Sequence, residues 1–220
     1  DLSDTTTVTA TSQFNTNVKQ STSFITQIQQ VPVPQISAGS TQTASPPATE
    51  QFVHTISNVG LATGDFNVSV TPSPSRAGWN FTLSSTGPFT LAPNATQTVT
   101  LTVTVPAGAS VGEDVDAVVK VTTAGGLEAT ATDTVQVALV PNLSFSAATQ
   151  TPINGQPGQT VVFTHTLTNN GNGPDSFTVA MTSTAGLINL SRTPTGQINL
   201  AKGQSVQVVV QAQVANGVSA

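Results

Sequence analysis

Two histidines, ten carboxylates, five basic residues and no cysteine are the charged and nucleophilic equipment of this 220-residue chain. The missing thiols remove disulfides, zinc–thiolate sites and cysteine nucleophiles together. His54 and His165 each open a His-Thr-x-x-Asn-x-Gly phrase, and no Cys or carboxylate set beside them completes a metal site. Both therefore read as structural strand residues. Glu113, Asp114 and Asp116 cluster after the Pro106-Ala107-Gly108 turn, and Asp1 and Asp4 fall at a similar place in the repeat described below. Loop oxygens of this kind can hold Ca²⁺, but the spacing is not that of an EF-hand, and a solvated acidic loop is the expectation. Asn-x-Ser/Thr patterns at Asn67, Asn80, Asn94, Asn142 and Asn189 are acceptor sequences for glycans on a secreted surface. With 14 Asn and 59 Ser or Thr in 220 residues, about that many arise by chance, so they are not an enrichment. Lys120 has the amine for a crosslink to Asn, with no partner singled out. No convergent acid, base or metal set emerges, so the chain is expected to be non-enzymatic and without a cofactor.

The elements that carry these residues follow from composition. Thr (38) and Val (28) supply 66 of 220 positions, which favours strands over helices. Charged residues are 7% of the chain against a usual ~25%. With 37% hydrophobic residues, the chain can bury a core and is unlike a disordered segment. A net charge of −5 with five Lys plus Arg leaves no basic patch for a phosphate backbone, so nucleic acid is an improbable partner. No run of ~18 apolar residues forms a membrane span, and the sequence opens at Asp1 without a basic-then-apolar leader, as a processed or excised segment does. A surface rich in Thr, Ser, Asn and Gln leans toward an extracellular or cell-surface setting.

Self-comparison shows two repeats. Val31-Pro32-Val33-Pro34 to Ala38 recurs 109 residues later as Val140-Pro141-Asn142-Leu143 to Ala147. Phe52 to Gly60 recurs at offset 111 as Phe163 to Gly171, with Phe66 and Val68 falling on Phe177 and Val179. Leu91 to Val111 runs without gaps onto Leu200 to Ala220 at offset 109. The first copy then continues through Ala117–Val121, a Gly125-Gly126 turn and Thr134–Leu139, which read as two closing strands that the second copy lacks. Residues 1–30 have the plan of those strands: Thr7–Ala10, a polar turn at Asn15 to Asn17, then Phe24–Ile28. The organisation expected is a strand pair at 1–30, a complete domain at 31–139 and an incomplete one at 140–220.

Val99, Leu101, Val103 and Val105 alternate with Thr98, Thr100, Thr102 and Thr104, the period of a strand with one face buried. Turn residues interrupt such strands at short intervals, and no helical periodicity appears. About seven strands in ~109 residues predict an all-β fold of two immunoglobulin-like sandwiches in tandem, a small barrel being the lesser alternative. Trp79, the single Trp, falls in a stretch from Pro72 to Phe89 expected to be unique to the first copy, and covers the sandwich edge.

The phrase His-Thr-x-x-Asn-x-Gly, followed by Leu-Ala-Pro-x-x-x-x-x-Val-x-Leu-x-Val-x-Val-Pro-Ala-Gly-Ala, resembles the tandem Ig-like repeats of prokaryotic cell-surface proteins. The resemblance covers 31–220, with departures at Lys202-Gly203 and Ala215-Asn216. It implies a structural or adhesive role in a surface layer, stalk or filament. A sandwich without its last strands exposes open edges and core, so something must fill it. Val8, Ala10, Phe24 and Ile28 of a neighbouring subunit's 1–30 are the expected assembly residues, giving a head-to-tail homopolymer by strand donation. The alternative is an excerpt of a longer tandem-repeat stalk; a carbohydrate- or cell-binding module ranks below it.

Overall fold

The computed structural model describes residues 2–146, 154–184 and 188–217. Asp1, Ala147 and the last three positions of the second copy lie outside them. Every regular element among the described residues is a β-strand, as the Val/Thr alternation predicts. No helix is long and apolar enough to cross a membrane.

The chain opens with β1 (Leu2–Thr11) and β2 (Lys19–Ile28), an antiparallel hairpin and a sheet of its own. Ser12 and Asn15 close its turn: the Ser12 hydroxyl accepts from the Phe14 and Asn15 amides, and Asn15 Oδ1 accepts from the Asn17 amide at 3.0 Å. The register sets Leu2 opposite Ile28, Thr6 opposite Phe24, Val8 opposite Thr22 and Ala10 opposite Gln20. Side chains alternate between faces, so Leu2, Val8, Ala10, Phe24 and Ile28 share one face. The other face is Thr and Ser, paired across the strands by Thr7–Ser23 at 2.8 Å and Thr9–Ser21 at 2.7 Å, with Ile25 its large apolar member.

The first sandwich follows as β3 (Pro34–Ile36), β4 (Thr41–Ala44), β5 (Ala48–Asn58), β6 (Gly64–Ser73), β7 (Asn80–Leu83), β8 (Phe89–Leu91), β9 (Thr96–Val105), β10 (Val115–Thr123) and β11 (Glu128–Val137). One sheet runs β3-β5-β9-β7 and the other β4-β11-β10-β6-β8. Two sheets wired this way, with β4 running parallel to β11 and the neighbouring pairs β10–β11, β10–β6 and β6–β8 antiparallel, are an immunoglobulin-like sandwich. The nine strands exceed the seven expected because the opening strand divides between the sheets as β3 and β4, and β8 adds a short partner to β6. The period-two faces meet in the core: Phe52 and Ile56, Val99, Leu101, Val103 and Val105 from one sheet, and Phe66, Val119, Val121 and Val135 from the other.

The second copy gives β12 (Leu143–Phe145), β13 (Thr160–Asn169), β14 (Asp175–Phe177), β15 (Ile188–Thr193), β16 (Ile198–Leu200) and β17 (Ser205–Val214). Its sheet β12-β13-β17-β15 repeats the order of β3-β5-β9-β7. Opposite it stands β14-β16, three paired residues long. Among the described residues, no counterpart of β10 and β11 pairs with β14. The core is correspondingly small: Leu167, Phe177, Ile198, Leu200 and Val208, with Val179, Val206 and Val210 half buried against it.

The stretch from Pro72 to Phe89 is not unique to the first copy. β15 pairs with β17 as β7 pairs with β9, setting Asn189 and Leu190 where Asn80 and Phe81 stand. Sequence comparison misses this because an edge strand with one buried face tolerates divergence. Trp79 is half buried and stacks on Phe81 with centroids 6.3 Å apart, at the edge strand β7.

By contact density the chain divides into two compact units, residues 1–42, 49–104 and 115–135 in one and 43–48, 105–114 and 136–220 in the other. Inside the second unit, Asn172 Oδ1 accepts from the Val140 amide at 2.7 Å, and its Nδ2 donates to the Ala138 carbonyl at 2.9 Å. The Val111 amide donates to the Asn172 carbonyl at 3.2 Å.

Candidate functional site

His54 projects inward from β5, and its Nε2 lies 2.7 Å from Asp133 Oδ2 on β11, each side chain 1% exposed. β5 and β11 belong to opposite sheets, so this contact pins the sandwich across its core. Asp133 Oδ1 also accepts from the Ser40 amide at 3.0 Å, and the Ser37 hydroxyl stands 3.5 Å from His54 Nδ1. A Ser, a His and an Asp thus fall in line, but the Ser37 oxygen is already held by the Thr55 amide at 3.1 Å. The arrangement ties the opening segment and β11 to β5. The carboxylate that partners His54 lies 79 residues away, beyond the reach of local spacing.

In the second copy, His165 is half exposed. Its Nδ1 meets the Ser146 carbonyl at 3.0 Å, and its ring stacks on Phe145 at 4.9 Å. Among the described residues of the second copy, no strand equivalent to β11 carries a counterpart of Asp133. Phe163 is half buried where its equivalent Phe52 is buried.

The Asn of the shared phrase is a second buried pin. Asn58 Oδ1 accepts from the Val33 amide at 3.1 Å and the Gly60 amide at 3.0 Å, while Nδ2 donates to the Ala62 carbonyl at 2.8 Å and the Leu91 carbonyl at 2.9 Å. Asn169 repeats the pattern with the Gly171 amide and the Gly173 and Leu200 carbonyls. The glycine two residues on is sterically required. A Cβ on Gly60 would lie 2.2 Å from the Val31 carbonyl oxygen, and one on Gly171 would lie 2.9 Å from that of Val140.

The acidic cluster does not converge. Glu113 accepts from the Ser110 amide at 2.9 Å, Asp114 from the Val137 amide at 2.9 Å, and Asp116 from the Thr134 hydroxyl at 2.6 Å. Each carboxylate is thereby spent on its own turn or strand pair. No group of three or more metal-ligating side chains forms among the described residues. Asn67, Asn80, Asn94, Asn142 and Asn189 are all exposed, and Asn94 takes a left-handed φ of 64° in its turn. The salt bridge of Lys120 is to Glu128 at 3.2 Å. One pattern the sequence reading missed is Gly108-Ala109-Ser110-Val111-Gly112, which has the spacing of a nucleophile elbow. It lies between β9 and β10 rather than on a strand-to-helix turn, and the exposed Lys202 Nζ is 2.9 Å from both the Ser110 hydroxyl and the Gly108 carbonyl. Lys202 clips a turn there.

Two partly apolar surfaces remain. On the hairpin, Leu2, Val8, Phe24 and Ile28 are exposed, Val8 and Phe24 at 54% each. On the second copy, an apolar groove of about 260 Å³ is lined by Leu143, Phe145, Leu167, Phe177, Val179 and Ala180. Beside it, residues 178–184 follow β14 without strand pairing. The matching stretch of β6, up to Ser73, is strand because β10 pairs with it from Asp116 to Thr123.

No family model matches the chain, and no curated protein matches it. Solved structures similar to it include a three-Ig-domain segment of titin, at 12% identity and a TM-score of 0.39, covering 98% of this chain and 65% of that one. The SrpA adhesin from Streptococcus sanguinis is similar at 16% identity and a TM-score of 0.37, covering 50% of this chain and 59% of the adhesin. The secreted serine protease VesC from Vibrio cholerae is similar at 10% identity and a TM-score of 0.40, covering 85% and 48%. The chain spans about half the length of that protease. Similarities at this level say nothing about activity.

Proposed function

We propose that this chain is an extracellular structural subunit, non-enzymatic, that assembles head-to-tail into a filament or surface layer by donating its β1–β2 hairpin to the open second sandwich of a neighbouring copy. The observation that carries this is the pairing of two deficits. Among the described residues, a hairpin of two ten-residue strands forms a sheet of its own and exposes Leu2, Val8, Phe24 and Ile28, and the second sandwich shows no counterpart of the β10–β11 pair. An incomplete sandwich leaves backbone donors and acceptors and core side chains in water, and an added strand pair satisfies both. Fully burying a large apolar side chain contributes ~1.5–3 kcal/mol. Finishing the burial of four half-exposed ones contributes about 4 kcal/mol before any backbone pairing. A head-to-tail contact that does not close on itself propagates as a fibre.

The test is the mass of the 220-residue chain by size exclusion with light scattering across a concentration series, with and without residues 1–30. Concentration-dependent open-ended assemblies of the full chain, absent after the deletion, are the expected result. A full chain that stays monomeric at every concentration refutes strand donation between copies.

A further inference from the structure

Taking that reading as its premise, we infer the register of the junction: Val8 of the incoming copy lies opposite Met181, Ala10 opposite Val179 and Thr6 opposite Ser183, and Phe24 enters the groove on the His165 side. Two gapless correspondences determine it. Val31-Pro32 and Val140-Pro141 open the two copies at an offset of 109 residues, so Ile28 corresponds to Val137 and β2 to β11 position by position. Phe24 then corresponds to Asp133. The hairpin register carries this onto β1, because Thr6 faces Phe24 as Ala117 faces Asp133, and Val8 faces Thr22 as Val119 faces Ala131.

On the receiving side, Phe177 corresponds to Phe66, which places Val179 and Met181 where Val68 and Val70 stand. Those two pair with Val121 and Val119 on β10. Substituting Ala10 for Val121 and Val8 for Val119 yields the stated pairs. The partner is a second copy of this chain because the hairpin face matches the gap in length, strand polarity and chemistry. The face measures about 33 by 10 Å and carries Leu2, Val8, Ala10, Phe24 and Ile28 among Thr6, Thr22, Thr26 and Gln20. Its one charge, Asp4, faces Thr26 near the outer end. The groove wall at the His165 side is aromatic, with Phe145 stacked on the imidazole. An apolar ring at the position of Asp133 suits that wall, so the junction replaces the His–Asp pin of the complete sandwich with an aromatic cluster.

The chain has no cysteine, so introduced pairs report without background. Directly opposed residues in an antiparallel pair have Cα atoms ~4.5–5.5 Å apart, within disulfide range, whereas a two-residue slip takes them to ~7–8 Å or more. Val8→Cys chains are mixed with Met181→Cys chains and oxidised, with Ala10→Cys plus Met181→Cys as the slipped control. Light scattering before oxidation checks that each variant still assembles. The expected result is a covalent dimer of twice the 22.3 kDa chain mass from the first mixture and little from the second. A dominant dimer from the slipped mixture, or assemblies in which neither mixture crosslinks, overturns the register and leaves strand donation standing. Loss of assembly in wild type at every concentration overturns the underlying reading instead. A Val8→Cys, Met181→Cys double variant that closes within one chain at high dilution, in preference to crosslinking between chains, overturns the choice of a second copy.

Discussion

Replacing Asn58 with Ala tests whether one buried amide organises the first sandwich. Its four hydrogen bonds all go to backbone groups, two as acceptor and two as donor. The Gly60 amide and the Leu91 carbonyl are buried, and each orphaned group there costs ~1–3 kcal/mol. The Val33 amide and the Ala62 carbonyl are partly exposed and lose a net ~0.5–1.5 kcal/mol each. Together the loss is about 5 kcal/mol, a large share of the ~5–15 kcal/mol that keeps a domain folded. Trp79 is the single Trp and stacks on β7 of the first sandwich, so urea unfolding followed by its fluorescence reads that sandwich alone. At a slope of ~1–1.5 kcal/mol per molar urea the midpoint falls by about 3–5 M. Asn169→Ala serves as the control that leaves the Trp79 transition in place. A fall of under ~1 M for Asn58→Ala with unchanged slope refutes the assignment.

Asp133→Ala takes the carboxylate away from the buried His54 ring and the Ser40 amide and destabilises the first sandwich by ~2–4 kcal/mol in the same urea assay, with Asp133→Asn milder because the amide still reaches the imidazole and the Ser40 amide. Gly39→Ala drives a Cβ to 1.8 Å from the Thr132 carbonyl oxygen, and the backbone shift that relieves it lowers the thermal midpoint by more than an exposed Gly108→Ala, where nothing lies within 4 Å. Leu101→Ala, fully buried on β9, costs ~2–5 kcal/mol by the same fluorescence. Phe24→Ser lowers the assembly mass by light scattering and leaves the Trp79 midpoint unchanged, because Phe24 is exposed in the single chain.

Much of the fold is legible in the residues one after another. The Val/Thr alternation of β9 and the Val/Gln alternation of β17 name strands and their buried faces, because a pleated strand turns successive side chains to opposite sides. Placing His54 and His165, Asn58 and Asn169, Gly60 and Gly171 at one offset requires only that the copies share a backbone path. The side chains of Val8, Ala10, Phe24 and Ile28 are a different matter. That they share a face depends on the pairing of β1 with β2, and a slip of one residue would turn one strand's set away.

By itself, then, the sequence determined the all-β class, the doubled repeat and the recurrence of the Asn-x-Gly turn, since these follow from local periodicity and from likeness between copies. Only the tertiary structure decided that His54 meets Asp133, that β15 takes the place of β7, and that the acidic residues at 113, 114 and 116 serve separate hydrogen bonds. Apart from the bond of Glu113 within its own turn, each of those contacts is made across a sheet or between sheets by residues whose sequence separation carries no periodic signal. Which groups meet there is settled by strand order and register, which are properties of the whole sandwich and of no single segment.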